Sequence, residues 1–357
     1  MLDICENELL AKYTTFHIGG PARYFIEAKS VNELKEAIAF AREKSLPMLI
    51  LGGGSNMLVS DRGFDGVVIH PKLLGFQIDS EKVTISASEN WDRCAERIVE
   101  AGLWGVENLS FVPGTAAGLA VQNVGAYGQE AASIIDSVET LEIRNSKHEI
   151  RNSRECNFGY RTSIFNTTKK GRYVILGLTL KLSLDGQSNT SYGLKPGTLA
   201  EMREQVIAIR KSKGQDPSEF WSAGSFFKNP IITEKQYEAL PSGTPRWPVH
   251  EPLPTSPSIE GEEQVGFLKI PAGYLLDKIC NLKGLTIGGA KLSERQVINI
   301  INTGNATSAD VLALFQKARD IVFEKTRSTS SGQAGITLEN EPELIGFTDS
   351  ELRLLLR

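Results

Sequence analysis

The period of the apolar positions changes several times along the first seventy residues. Tyr24 to Ala28 read as a short strand, and Ser30 with Glu33 forms a capping box that opens a helix whose apolar face is Leu34, Ala37, Ile38 and Ala41. Pro47 stops that helix, Met48 to Leu51 form a buried strand running into three glycines, and a further strand follows at Val67 to Ile69. A second block begins near residue 82, where Val83, Ile85 and Ala87 alternate ahead of a helix from Trp91 to about Ala101, ended by Gly102. The clearest alternation, Val174, Leu176, Leu178, Leu180, Leu182 and Leu184, predicts one whole strand face against a core. Thr198 and Glu201 cap a helix carrying Leu199, Met202, Val206 and Ile209.

Further helices are expected over 272–280, over 293–301 with a Ser293/Gln296 capping box, and over 309–324 with Val311, Leu312, Phe315 and Val322 inward. Ahead of them, residues 241–263 carry six prolines in their first seventeen positions and read as a surface loop. Residues 328–335 are Ser/Gly-rich and read as mobile. Strand and helix signals interleave throughout, which predicts a mixed α/β or α+β protein.

At 357 residues the chain exceeds one typical core, so two or three domains are expected. A formal net charge of -4 offers no broad basic surface, which argues against nucleic acid as a partner. Apolar runs such as 174–180 fall far short of the roughly 20 residues that cross a bilayer, and residues 1–16 lack the basic-then-apolar plan of a secretory signal. We therefore expect no membrane association and a cytoplasmic location; a monomer is expected as well, though none of these features bears on it. Cys5, Cys94, Cys156 and Cys280 form no Cys-x-x-Cys pair, and the four histidines are isolated, so no metal site is expected.

Two glycine-rich stretches stand out. Gly52, Gly53 and Gly54, followed by Ser55 and Asn56, supply backbone N–H groups that no side chain screens from an anionic ligand. Taken alone, three glycines are as compatible with a structural turn as with a ligand loop. Met57, Leu58 and Val59 look extended rather than helical, which disfavours a Rossmann turn, and the absence of a Gly-Lys dipeptide removes the P-loop. The second stretch, Pro113, Gly114 and the small residues to Gly118, leads to Gln122, Asn123, Val124, Gly125, Ala126, Tyr127 and Gly128. Six small residues in a row would make a poor core strand or helix, so a close backbone approach to one extended ligand fits better.

Together with residues 14–22, 158–165 and 223–230, these stretches resemble the UDP-N-acetylenolpyruvoylglucosamine reductase (MurB) family, with six motifs in the family's order between residues 14 and 346. The resemblance implies a vanillyl-alcohol-oxidase-type, two-subdomain FAD-binding fold plus a smaller α/β substrate domain. It also implies noncovalent FAD, NADPH as reductant and a UDP-sugar enolpyruvyl ether as substrate for peptidoglycan synthesis. The implied organisation is residues 1–70 with 336–357 and residues 71–214 for FAD, and residues 215–335 for substrate. FAD would lie on Gly52, Gly53, Gly54, Ser55, Asn56, Pro113, Gly114, Gln122, Asn123, Gly125, Ala126, Tyr127 and Gly128.

The chemistry also has a reading of its own. A double bond conjugated to a carboxylate accepts hydride at its far carbon, and charge then builds up as an enolate that a fixed cation would stabilise. Arg161, beside Tyr160, is the candidate, because a guanidinium grips a carboxylate through two parallel hydrogen bonds. Ser225 lies between Gly224 and two aromatics, and within hydrogen-bond reach its hydroxyl can protonate such an enolate. The resemblance calls for an acid near the C-terminus: counting back from Ile345 and Gly346 selects Glu341, with Glu339 the alternative on the same strand face. It further implies substrate contacts for Tyr160, Tyr192, Arg210, Lys213 and Asn229. Leu119 and Ala120 depart from the family pattern and bear on the flavin pocket's shape. A flavin-dependent carbohydrate oxidase on the same fold and a catalytically silent UDP-sugar-binding protein are the rival readings.

Overall fold

The computed structural model describes residues 2–249, 267–327 and 334–356. Its contacts divide the chain into two units, Met1–Ser55 with Arg62–Glu219, and Asn56–Asp61 with Phe220–Arg357.

In the first unit, strands Ile4–Leu9, Pro21–Ala28, Phe64–Pro71 and Met48–Ile50 lie side by side in that order. The last three are parallel, with Tyr24 opposite Val67 and Leu49 opposite Val68. The helix Val31–Glu43 covers this sheet with Leu34, Ala37, Ile38 and Ala41, and its Ser30 cap accepts the Glu33 N–H as expected. A second, antiparallel sheet runs His148–Asn152, Ile135–Glu142, Tyr173–Lys181, Lys82–Ser86, Phe76–Asp79.

The leucine-rich strand behaves differently from its prediction. Val174 and Leu176 pack with Ile26 and Leu34, whereas Ile175, Leu178 and Leu180 pack on the other side with Trp91 and Ile98. The register slips between Glu139/Gly177 and Thr140/Ile175, so Leu176 is the extra residue of a bulge and every later side chain changes face. The strand ends at Lys181, and Leu184 lies beyond it, 56% exposed.

In the second unit, Trp221–Ser222, Ile300–Asn302, Ala290–Leu292 and Thr286–Ile287 form a small antiparallel sheet. Helix Ser308–Thr326 carries Val311, Leu314, Phe315 and Val322 into the core. Met57–Val59 pairs in parallel with Glu343–Ile345, so the extended reading of Leu58 and Val59 holds and the chain end groups with residues 56–61.

Three expectations are corrected. No helix forms over 293–301: Ser293 Oγ does accept the Gln296 N–H at 3.2 Å, but Ser293 N–H bonds Asn299 O, and Ile300–Asn302 become a strand between two partners. Sheet pairing there outweighs a local cap. Residues 247–249 of the proline-rich stretch pair with Phe267–Lys269, with Pro248 in an edge strand where its missing N–H costs nothing; residues 250–266, like 328–333, lie outside the described residues. Finally, residues 116–121 are a helix, because small side chains let it seat closely on its neighbours: Ala116 and Ala117 N–H donate to Glu89 O and Ala87 O.

His70 carries a pH-dependent prediction. Its ring meets Tyr13 and Phe25 edge-on, and its Nδ1 is buried without a hydrogen-bond partner, 3.8 Å from Glu27. Burial, aided by the Lys72 charge, lowers its pKa to about 4. The unfolded chain then binds the proton first, so stability falls as the pH drops from about 6.5 to 4, by up to about 3 kcal/mol at this site. Urea unfolding across that range should show the loss, and His70→Phe, which keeps the ring packing, should flatten it; an unchanged pH slope in the variant would refute the assignment.

Candidate active site

The two glycine-rich stretches, 58 residues apart at Ser55 and Pro113, touch within the first unit: the Ser55 hydroxyl donates to Pro113 O at 3.2 Å. A Cβ added to Gly53 would stand 2.8 Å from Gly114 Cα, and one added to Gly52 would stand 3.3 Å from Thr115 Oγ1. Gly54 (φ +60°) and Gly114 (φ +117°) occupy backbone regions that favour glycine. Gly53 is exposed and Gly52, Pro113, Gly114 and Thr115 are half-buried, so the paired turns present backbone at an accessible rim. That cradle fits the diphosphate of a dinucleotide, which needs close main-chain approach. Thr115 caps the helix Ala116–Val121, whose Leu119 and Ala120 point into the core with Trp91 and Leu178. The departure from the family pattern at those two positions is therefore absorbed by core packing.

Gln122 closes this helix, and the chain enters a hairpin of Gly125–Ala126 with Gln129–Glu130. Tyr127 (φ +48°) and Gly128 (φ +81°) form its two-residue turn, both left-handed as such tight hairpins require. The Gly159–Arg161 turn is strapped beside it. Asn123 is buried, accepts the Ala132 N–H and donates to Gly159 O at 2.9 Å, while the Ser163 hydroxyl donates to Val121 O at 2.6 Å. Arg161, itself at φ +58°, donates to Gly125 O at 3.0 Å and lies 5.3 Å over the Tyr160 ring. The guanidinium and the glycine-rich backbone thus share one neighbourhood.

Tyr127 links this neighbourhood to the expected substrate residues. Its ring lies 5.2 Å from Lys213 Nζ, Tyr192 meets it edge-on at 6.2 Å, and the Arg210 charge acts on its hydroxyl. Burial raises the Tyr127 pKa, and burial together with Arg210 lowers that of Lys213. Burial also lowers the Arg210 pKa, but a guanidinium remains charged at any working pH. Arg210 Nε donates to Phe111 O at 2.9 Å, so the guanidinium is held and does not sweep solvent. Tyr192, at φ +61° and 69% exposed, sits on the short turn Ser191–Gly193.

In the second unit, Ser225 precedes Phe226 and Phe227, which are planted in the core against Phe315 at 5.5 and 5.2 Å. Phe226 N–H donates to Ile298 O, and Glu341 N–H donates to Phe226 O. These anchors fix the backbone on both sides of a half-buried serine. Residues 339–341 run antiparallel to 226–228 through the Phe227/Asn340 bridge. Glu339 is exposed and pairs with Lys228 at 3.4 Å, whereas Glu341 is half-buried. Asn229 Oδ1 accepts the Ala272 N–H at 2.9 Å, so that atom caps the segment 272–279. Asn56 O accepts the Glu343 N–H at 3.0 Å in this same unit. Among the described residues, no group of three His, Cys, Asp or Glu could hold a metal ion, and no helix is long and apolar enough to cross a membrane.

The sequence reading missed Thr115, Asn108 and Asn189. Thr115 had a visible signal, a threonine three residues ahead of Gly118 whose N–H it accepts. The two asparagines act through tertiary contacts and had none.

Residues 22–152 match the model of the FAD binding domain, and residues 216–345 match that of the UDP-N-acetylenolpyruvoylglucosamine reductase C-terminal domain. Fold and glycine cradle together define an α+β FAD-dependent oxidoreductase. The chain is 36% identical to the UDP-N-acetylenolpyruvoylglucosamine reductase of Streptomyces coelicolor, covering 94% of this chain and 89% of that one. It is also 36% identical to the reductase of Pasteurella multocida, over 88% and 92% of the two chains. The crystal structure of the Thermus caldophilus reductase shares the fold, with a TM-score of 0.67 at 24% identity over 97% of this chain and 100% of that one. The chain belongs to the UDP-N-acetylenolpyruvoylglucosamine reductase family.

Proposed function

We propose that this enzyme reduces UDP-N-acetylglucosamine enolpyruvate to UDP-N-acetylmuramate for peptidoglycan synthesis, with NADPH as the source of electrons. The observation that carries the reading is the glycine cradle at Gly53 and Gly114, together with relatives across nearly the whole chain that bear the reductase name. FAD would be held by Gly52 to Ser55, Pro113, Gly114 and the segment from Gln122 to Gly128, and when bound it supplies the hydride.

Arg161 grips the substrate carboxylate and stabilises the enolate that develops once hydride reaches the far carbon of the double bond. Its tether to Gly125 O supports this role, because a cation fixed in advance costs no reorganisation as the charge appears. Ser225 then gives its hydroxyl proton to the carbon next to the carboxylate, and the C–H bond forms as the Ser225 O–H bond breaks. Glu341 is the acid of the trio; Glu339, exposed and paired with Lys228, is the weaker candidate. Tyr160, Tyr192, Arg210, Lys213 and Asn229 bind the UDP-sugar, the cations complementing its diphosphate.

The absorbance spectrum of the purified protein tests the reading, followed by NADPH consumption with and without the enolpyruvyl UDP-sugar. A yellow protein whose steady NADPH consumption requires that substrate is expected. Colourless protein, or NADPH oxidation by oxygen alone at full rate, would overturn it.

A further inference from the structure

A single buried asparagine ties the Tyr192 turn to the hairpin that carries Tyr127. Asn108 lies in the short helical turn Glu107–Leu109 and is fully buried. One nitrogen, Nδ2, donates to Tyr127 O at 2.8 Å and to Asn189 O at 3.0 Å. The two carbonyls belong to segments more than sixty residues apart in the chain, and one planar amide sets the distance between them.

Asn189 passes the restraint on. Its Oδ1 accepts the Ser191 N–H at 3.0 Å, and its Nδ2 donates to Gly128 O at 3.0 Å. A Cβ on Gly128 would stand 2.5 Å from Ser191 Cβ, so the hairpin turn and the Ser191 turn are already in close contact. Asn108 is itself fixed from behind: its N–H donates to Gln129 Oε1 at 3.0 Å, Gln129 Nε2 reaches the Glu107 carboxylate, and that carboxylate accepts the Gly105 N–H at 2.8 Å. Asn108 Oδ1 is buried with no partner. A buried amide with one unsatisfied end costs stability, so its retention needs a gain elsewhere. That gain is the placement of Tyr192, an exposed aromatic on a left-handed residue that no core packing would hold.

We infer that Asn108 is a positioning residue for the UDP-sugar: through Asn189 it holds the Tyr192 turn against Tyr127, so that the turn is ordered before substrate arrives. The inference rests on the reading that Tyr192 binds the UDP-sugar. Pre-ordering lowers the entropy lost on binding, so the effect belongs in substrate affinity rather than in FAD binding or flavin reduction.

The test uses the full-length holoenzyme in four forms, wild type, Asn108→Ala, Tyr192→Ala and the double variant. UDP-N-acetylglucosamine enolpyruvate binding to the oxidised protein is measured by calorimetry, and amide exchange is followed over residues 187–194. Asn108→Ala is expected to speed exchange in that segment, weaken substrate binding about tenfold, and leave FAD content and the rate of flavin reduction by NADPH unchanged. In the Tyr192→Ala background the Asn108→Ala effect on binding is expected to shrink to less than threefold, because the residue it positions is gone. Equal effects in the two backgrounds, unchanged exchange over 187–194, or loss of FAD along with substrate affinity would each overturn the inference. If Tyr192→Ala alone left binding unchanged, the role of Tyr192 in the proposed function would fail first and take this inference with it. If Tyr192→Ala weakened binding while Asn108→Ala did not, only the inference would fall. Should Asn108→Ala fold poorly, Asn189→Gly, which loses the relay while leaving the buried amide in place, is expected to show the same exchange and affinity changes.

Discussion

Ser225→Ala is expected to abolish turnover while leaving a yellow protein that NADPH still reduces. The two half-reactions make different demands on the chain. In the proposed reaction, hydride passing from NADPH to flavin would need no proton from Ser225, whereas completing the product would need one delivered to carbon, the slow kind of proton transfer. General acid catalysis of such a step contributes roughly 10²–10⁴-fold, and the rate of flavin reoxidation by the enolpyruvyl substrate should drop by at least that much. Alanine removes only the side-chain oxygen, and Phe226 and Phe227 already hold the neighbouring backbone in the core, so the fold should tolerate the change. Stopped-flow absorbance separates the steps: the first phase should be normal and the second nearly absent. Substrate-driven reoxidation at the wild-type rate would remove Ser225 from the mechanism.

Gly53→Ala is the second large effect, and it should act on the other half of the chemistry. The new methyl would meet Gly114 Cα at 2.8 Å and Gly114 C at 3.2 Å, both main-chain atoms that cannot rotate aside. Overpacking of this kind costs about 1–3 kcal/mol. Since the strain falls on the two turns assigned to FAD, it should appear as a loss of roughly 5- to 150-fold in FAD affinity. Gly102→Ala is the control. Gly102 also has a positive φ, +78°, but an added Cβ there meets nothing within 4 Å. It should lower the melting temperature through backbone strain and keep its flavin. Fluorescence titration of the apoproteins with FAD compares them, and equal affinity for Gly53→Ala and wild type would dismiss the cradle.

Much of the fold was legible where a local rule and a tertiary demand agreed. The Ser30 cap, the four inward residues of the helix it opens and the Thr198/Glu201 capping box all hold in the structure. The extended reading of Leu58 and Val59 holds because their strand has a parallel partner in Glu343–Ile345. Where rule and demand conflicted, packing decided. Ser293 caps a turn that sheet pairing does not allow to become a helix. The leucine alternation is real, but a bulge at Leu176 turns one predicted face into two.

The site shows the same division. Glycine, arginine and serine signatures are chemical, so residue type and order brought Gly52 to Gly54, Arg161 and Ser225 forward as candidates, and the resemblance of their motifs to a known family pointed to flavin chemistry. Sequence by itself also determined the family, because six short motifs kept their order along the chain. Only the tertiary structure decided that Gly53 has no room for a side chain against the Gly114 backbone. It likewise placed Glu339 in an exposed pair with Lys228, and showed one buried amide on Asn108 holding two distant carbonyls. The physical reason is range: helix caps and strand alternation act within a few residues, whereas steric exclusion and hydrogen bonds between distant segments exist only once the chain has folded.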